Sequence, residues 1–194
     1  KVSLRSINLS NANLSYARFS KVNLSYAILN NANLSYSKFD FVSFDFANLS
    51  NANLQYASLQ YTNLGFTNFS NANLQYADLG GADLISANLR NANLQHTDLR
   101  NARLAQANLR NADLRNAFLG NANLVNANLR YANLMDIKEF QSQQLKKSCY
   151  WEEAKMSKDL REQIQKAPNP KVEPICSIWE SHNSFSPAFS FPEK

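Results

Sequence analysis

The chain has only four glycines, two histidines, two cysteines and two methionines among its 194 residues, and none of its five prolines precedes Pro168. With so little glycine, no phosphate-cradling loop can be assembled. His96 and His182, like Cys149 and Cys176, show none of the paired spacings that hold zinc. No catalytic, metal-ligating or cofactor-binding residue can therefore be nominated, and an enzyme is not expected. No apolar stretch approaches the roughly 18 residues needed to cross a bilayer and no secretory leader is visible, so membrane insertion is not expected either. Lysine and arginine are absent between Phe41 and Leu89, which leaves about a quarter of the chain without positive charge.

What the sequence has in excess is leucine at a fixed interval. Leucine or phenylalanine occupies every fifth position from Leu4 to Leu134 without a break, with Phe19, Phe39, Phe44 and Phe69 the departures from leucine. Five residues on an α-helix turn about 500°, so the leucines would spread around the cylinder. A continuous strand alternates with period two, and an odd period would throw its leucines to both faces. If the Leu/Phe position is called i, a small residue recurs at i−2, as at Ala12, Ala32, Ala52, Ala72, Ala92 and Ala132. The unit reads in, out, in, out, out: a short extended segment followed by a corner that resets the parity.

Each pentad is one side of a polygonal coil. Asn11, Asn31, Asn51, Asn71, Asn91 and Asn111 recur every twenty residues, whereas the intervening Lys21, Phe41, Tyr61 and Gly81 do not match them. Four sides fit. Leu54, Leu74, Leu94 and Phe69 are expected to fill the axis, with Ala72 and Ala92 at the size limit of a narrow interior. Val2, Val22, Val42 and Thr62 stand in one inner column that narrows to Ala82, Ala102 and Ala122, which predicts a slightly wider or distorted N-terminal half. Asn or Asp at i−1 is expected to satisfy backbone groups of the adjacent turn through its short side chain. The glycines fall at outward positions, where corners are expected.

The segments Asn53-Leu54, Ala72-Asn73-Leu74, Ala82-Asp83-Leu84 and Ala132-Asn133-Leu134 carry the A(N/D)LXX signature, so the chain resembles the pentapeptide-repeat family. That resemblance implies an all-β solenoid, a right-handed quadrilateral β-helix. About seven coils follow, or roughly 30 to 35 Å of rod at the usual strand spacing. The segments Gln144-Leu145-Lys146, Trp151-Glu152-Glu153-Ala154 and Asp159-Leu160-Arg161 are similar to C-terminal extensions of cyanobacterial members.

Three regions are expected: the pentapeptide-repeat β-helix over residues 1–135, a short α-helical C-terminal cap over 136–167, and a Pro-containing irregular tail over 168–194. Asp136 with Glu139 reads as a helix start, with Phe140, Leu145, Cys149 and Trp151 as its apolar stripe. A second helix is expected after Ser157, with Leu160 and Ile164 one turn apart, stopped by Pro168 and Pro170. The helices would cover the last coil, whose edges and apolar side chains need protection. At the other end Lys1-Val2-Ser3-Leu4 is already in register, so preceding residues or a partner are expected there, and a homodimer through one end of the solenoid is an option. Cys149 and Cys176 are free thiols if the protein is cytoplasmic, the compartment the sequence suggests. They are a staple if the chain is exported to a thylakoid lumen or periplasm.

The net charge of +5 lies in the repeat, because acidic and basic residues balance from 136 to 194. Arg90, Arg110 and Arg130 are twenty apart and should form one row of stacked guanidinium groups, to which an acidic protein surface is the fitting partner. Nucleic acid fits poorly, since the patch is short and the chain only moderately basic. Tyr16, Tyr36, Tyr56 and Tyr76 form an aromatic row continued by His96 and Asn116; Tyr26, Phe46 and Phe66 form a second. Stacked rings are ordinary lateral stabilisation, yet exposed aromatic rows also have the composition of a protein-binding face. The reading is a non-enzymatic protein–protein interaction scaffold, with a regulatory role suggested by the cyanobacterial resemblance. The alternative is a topoisomerase-directed member, which in this family resembles duplex DNA in shape and negative charge; the arginine row departs from that pattern. Ice or surface binding would need uniform Thr or Ser rows, which are missing.

Overall fold

The computed structural model describes residues 2–180; His182 and the end of the expected tail lie outside them. Residues at i−1 form parallel bridges to the residue twenty further on, so that one column runs Asn13, Asn33, Asn53, Asn73, Asn93, Asp113, Asn133 and three others run beside it. The twentyfold register closes each coil with four sides. Among the described residues, extended segments long enough to be strands occur only near the N-terminus: β1 (Val2–Ser3), β2 (Arg18–Ser20), β3 (Val22–Asn23) and β4 (Lys38–Asp40). β1 pairs with β3 and β2 with β4, both parallel.

The pentad accounts for its own backbone donors. In the unit around Leu74, Asn73 N–H donates to Ala52 O of the preceding coil at 2.9 Å, and Leu74 N–H to Asn93 O of the next at 2.8 Å. Tyr76 N–H donates to Gln95 O at 3.0 Å, and Ala77 N–H closes the turn onto Leu74 O at 3.0 Å. The remaining donor, Gln75 N–H, goes to Asn73 Oδ1 at 3.2 Å. That last bond explains the Asn/Asp preference at i−1, because a buried amide must find an acceptor and a short side chain two residues back supplies it. The same side chains link coils, as in Asn88 Nδ2 to Asn68 Oδ1 at 3.1 Å and Asn68 Nδ2 to Asn48 Oδ1 at 3.3 Å.

Every fifth residue from Ser6 to Asp136 has a positive φ near 60°. It is the third residue of a β-turn, and a turn of type II needs φ > 0 there. Glycine takes the position once, at Gly81, where the Tyr61 ring lies so close that an added Cβ would meet its Cδ1 and Cε1 atoms.

The axis is filled by the leucine columns, with Leu54, Leu74, Leu94 and Phe69 fully buried and Ala72 and Ala92 beside them. Phe39 stacks on Phe19 at 5.2 Å and meets Phe44 edge-on at 5.1 Å. Ser and Thr at inner positions return their hydroxyls to carbonyls, as Thr97 Oγ1 does to Leu74 O at 2.9 Å. The bulkier valine column has the expected effect. The corners Phe19–Val22 and Phe39–Val42 are bends without a turn hydrogen bond, whereas Thr62 N–H reaches Leu59 O at 3.3 Å and Ala82 N–H reaches Leu79 O at 3.0 Å. Beside them the inter-coil bonds are longer at the valines, Ser43 N–Val22 O at 3.2 Å and Asn63 N–Val42 O at 3.4 Å, than further along the rod, where Asp83 N–Thr62 O is 3.0 Å and Arg103 N–Ala82 O 2.9 Å. Valine at this inner position holds the corner open, whereas threonine closes it with a long bond and alanine with a shorter one.

At the C-terminal end the expected helix start at Asp136 and Glu139 is corrected. Asp136 has φ 57° and forms another corner, and Lys138 pairs with Phe118 in the ladder. Helix α1 (Ser142–Lys146) begins later, where Gln144 Oε1 accepts from Gln141 N–H at 3.2 Å. The chain then rejoins the ladder with slipped register, Asn128 pairing with Cys149 and Asn133 with Lys155. Helix α2 (Lys158–Lys166) is capped by Ser157, whose hydroxyl accepts from Leu160 N–H at 3.1 Å. Leu145, Trp151, Leu160 and Ile164 are buried in one apolar cluster with the solenoid core. Cys149 and Cys176 are disulfide-bonded to each other rather than free thiols.

Candidate functional site

The corners that build the fold also display its side chains. Tyr16, Tyr36, Tyr56 and Tyr76 stand at left-handed corners on successive coils, with neighbouring rings 4.8 to 4.9 Å apart and nearly parallel. His96 continues the stack on Tyr76 at 4.7 Å, in its expected place in the row. The tyrosines remain 42 to 70% exposed. A second row joins Tyr26 to Phe46 at 5.0 Å and Phe46 to Phe66 at 4.8 Å, with the Arg5 guanidinium 4.8 Å above Tyr26. Phe41 and Tyr61 project from a further corner, 78 and 79% exposed.

The arginine row is not a free ladder. Arg90 is exposed. Arg110 and Arg130 share the Tyr131 ring, their guanidinium carbons 5.8 and 5.4 Å from its centre, so cation–π contacts tie the row together. Arg130 also lies 5.2 Å from the Tyr150 ring and donates from Nε to Glu153 at 2.8 Å. Sequence reasoning missed Tyr131, Tyr150 and Glu153. For Tyr131 a signal exists, since it interrupts the asparagine column that runs to Asn111. Tyr150 and Glu153 follow α1, beyond the fivefold pattern, and carry none.

Elsewhere the charges are paired within the chain. Arg100 forks onto Asp98 and also faces Glu139, Arg103 meets Asp83 at 2.8 Å, and Arg115 meets Asp113 at 2.6 Å. The Arg100 hydrogen bond holds the Asp98 carboxyl below its ordinary range. At Asp113 burial, the largest influence, pushes upward, but the bonds from Arg115 and Gln95 together outweigh it and the carboxyl is also lowered. Burial raises the Tyr150 phenol. Among the described residues no group of three His, Cys, Asp or Glu is placed to hold a metal ion, and no helix is long and apolar enough to cross a membrane. A cleft of about 430 Å³ lies between Val125, Asn126, Lys147 and the segment from Pro170 to Ile175, where Ile175 N–H and Trp179 Nε1 tie the tail to Asn126.

The pentapeptide-repeat model matches this chain in eight copies across residues 3–40, 32–65, 47–84, 67–106 and 102–137. Among solved structures, the chain is similar to QnrB1, a plasmid-mediated fluoroquinolone resistance protein, at 16% identity over 87% of each chain with a TM-score of 0.67. It is also similar to a pentapeptide repeat protein of the Arabidopsis thaliana thylakoid lumen, at 29% identity over 50% of this chain and 68% of that one, TM-score 0.49. The cyanobacterial protein Rfr23 of Cyanothece 51142 aligns at 28% identity over 62% of this chain and 89% of that one, TM-score 0.33. No curated protein sequence matches. The likeness to QnrB1 carries fold alone, but the repeat model spans well over half of the residues: the chain belongs to the pentapeptide-repeat family and is a right-handed quadrilateral β-helix.

Proposed function

We propose that this protein is a non-enzymatic protein–protein interaction scaffold: a rod of about seven coils, closed at its C-terminal end by α1 and α2, that presents side-chain rows to another protein. The tyrosine row carries the reading. An L-residue in the left-handed region is strained, and asparagine tolerates it better than an aromatic residue. The neighbouring column uses asparagine from Asn11 to Asn111 at the same φ. The tyrosines therefore depart from the cheaper residue while keeping much of their aromatic surface in water, and ring stacking of about 0.5 to 1.5 kcal/mol per pair offsets only part of that. A partner's surface laid on the row would recover the rest.

The test is site-specific photo-cross-linking at Tyr56 and, as a control on the neighbouring column, at Asn51, in an extract of the source organism. Partner adducts are expected from position 56 and not from 51. Equal adducts, or none from 56, overturn the reading. The Tyr36→Asn/Tyr56→Asn variant is expected to melt within a few degrees of the parent while losing the partner, because asparagine suits both corners.

The Cys149–Cys176 bond favours an oxidising compartment, a thylakoid lumen or periplasm, over the reducing cytoplasm. Alkylation of protein isolated without reductant tests this, with no thiol expected to label. The topoisomerase-directed reading is disfavoured because Asp83, Asp98 and Asp113 are neutralised by arginines, leaving no acidic row to imitate a phosphate backbone; stoichiometric inhibition of DNA gyrase supercoiling would reinstate it.

A further inference from the structure

Most of the arginines in the basic half are engaged by the chain's own carboxylates: Arg100, Arg103, Arg115 and Arg130 all form salt bridges. Among the described residues Arg90 and Arg110 have no carboxylate within salt-bridge distance. The two stand on one side of the rod, on adjacent coils, each with its backbone N–H held by the asparagine two residues before it, Asn88 and Asn108. From Asn8 to Tyr131 the outward columns of that side hold asparagine, serine, these arginines and Arg130, with Ile28 and Tyr131 as exceptions, and no acidic residue.

Arg110 is held without being neutralised. Its Nε is buried with no hydrogen-bond acceptor, and its guanidinium rests 5.8 Å from the centre of the Tyr131 ring. The same ring supports Arg130, whose own charge is committed to Glu153. A ring orients a guanidinium and leaves its charge in place. The excess charge of this half is thus concentrated in one pair of guanidinium groups on a side that is otherwise neutral and flat.

The geometry points to Arg90 and Arg110 as the docking point for an acidic peptide segment of a partner protein, a refinement that rests on the scaffold reading above. Two arginines about one strand spacing apart, roughly 4.8 Å along the rod, fit a pair of carboxylates that each accept a forked guanidinium bond. Amide and hydroxyl neighbours add no charge repulsion and accommodate the peptide backbone. A nucleic acid is the poorer fit, because its binding grows from many phosphate contacts, of the order of 6 to 10, and this side offers only two uncommitted cations.

The experiment is fluorescence anisotropy on the full chain with a labelled glutamate-rich decapeptide, its glutamine counterpart and a single-stranded decanucleotide. The acidic peptide is expected to bind and the glutamine peptide not to bind. Arg90→Gln/Arg110→Gln should weaken acidic-peptide binding at least tenfold, with an unchanged circular-dichroism melt. Arg103→Gln, whose charge Asp83 already neutralises, should change it less than threefold. The inference is overturned if the acidic peptide does not bind, if the double variant binds it unchanged, if Arg103→Gln loses as much, or if the oligonucleotide binds more tightly. Cross-linking at Tyr56 does not involve these arginines, so adducts there alongside a negative peptide result would remove this inference and leave the scaffold reading standing.

Discussion

At the scale of single residues, the position before each leucine decides whether the coil closes without a stranded donor. Asn68 illustrates it: its Oδ1 accepts from Ser70 N–H at 3.1 Å and from Asn88 Nδ2 at 3.1 Å, while its Nδ2 reaches Asn48 at 3.3 Å. Asn68→Ala leaves the Ser70 amide without its acceptor, and a loss of about 1 to 3 kcal/mol in urea unfolding is expected; Asn68→Asp, which keeps that acceptor, should cost less. The paired aspartates give a second expectation. The folded carboxyls of Asp98 and Asp113 lie below their ordinary range. Their contribution is therefore complete above the unfolded value near 3.9 and is lost as pH falls through the folded values. Thermal melts should weaken below about pH 4, and Asp98→Asn/Asp113→Asn should flatten that acid limb without changing the neutral one. The role of asparagine was legible in the sequence because its offset to the next amide is local. The Glu139 contact of Arg100 and the Glu153 contact of Arg130 were not, since both glutamates come from segments beyond the leucine repeat.

At the scale of the coil, identical sides make the interior a set of columns with little freedom to adjust. Leu74 is fully buried, and Leu74→Ala should cost about 2 to 5 kcal/mol. Ala72→Leu should also destabilise, because added methylenes have nowhere to go in a close-packed axis; a rise in melting temperature would contradict the narrow-interior account. The valine column shows how the rod absorbs extra bulk, by giving up a turn hydrogen bond at the corner and lengthening the inter-coil bonds beside it. Leucine and alanine periodicity made all of this readable in advance, down to which end would be looser. The start of α1 was not readable, because Asp136 carries a helix-capping side chain yet occupies a left-handed corner. The fivefold backbone rhythm outlasts its leucine signal there, and the ladder positions of Cys149 and Lys155 follow insertions that no periodicity announces.

At the scale of the whole molecule, the disulfide joins a ladder position to a segment tied to Asn126 of the last coil. It closes a sequence separation of 27 residues, for which chain-entropy reasoning gives about 3 to 4 kcal/mol. Cys176→Ser should reveal where that stabilisation acts. In a stacked array each coil depends chiefly on its neighbours, so hydrogen exchange is expected to accelerate from Cys149 to Ile175 and to stay unchanged from Leu24 to Leu104. Uniform acceleration would mean that the rod unfolds as one unit.

The square register also determines how such a molecule can change in length. Removing twenty residues deletes one storey and returns every later side chain to the column it already occupied. Removing five rotates everything beyond the cut by a quarter turn, so the lower tyrosines would no longer stand under the upper ones, and the arginine pair would face a different side. Changes of length in whole turns preserve the pattern presented to a partner, whereas shorter ones rewrite it without disturbing a single leucine.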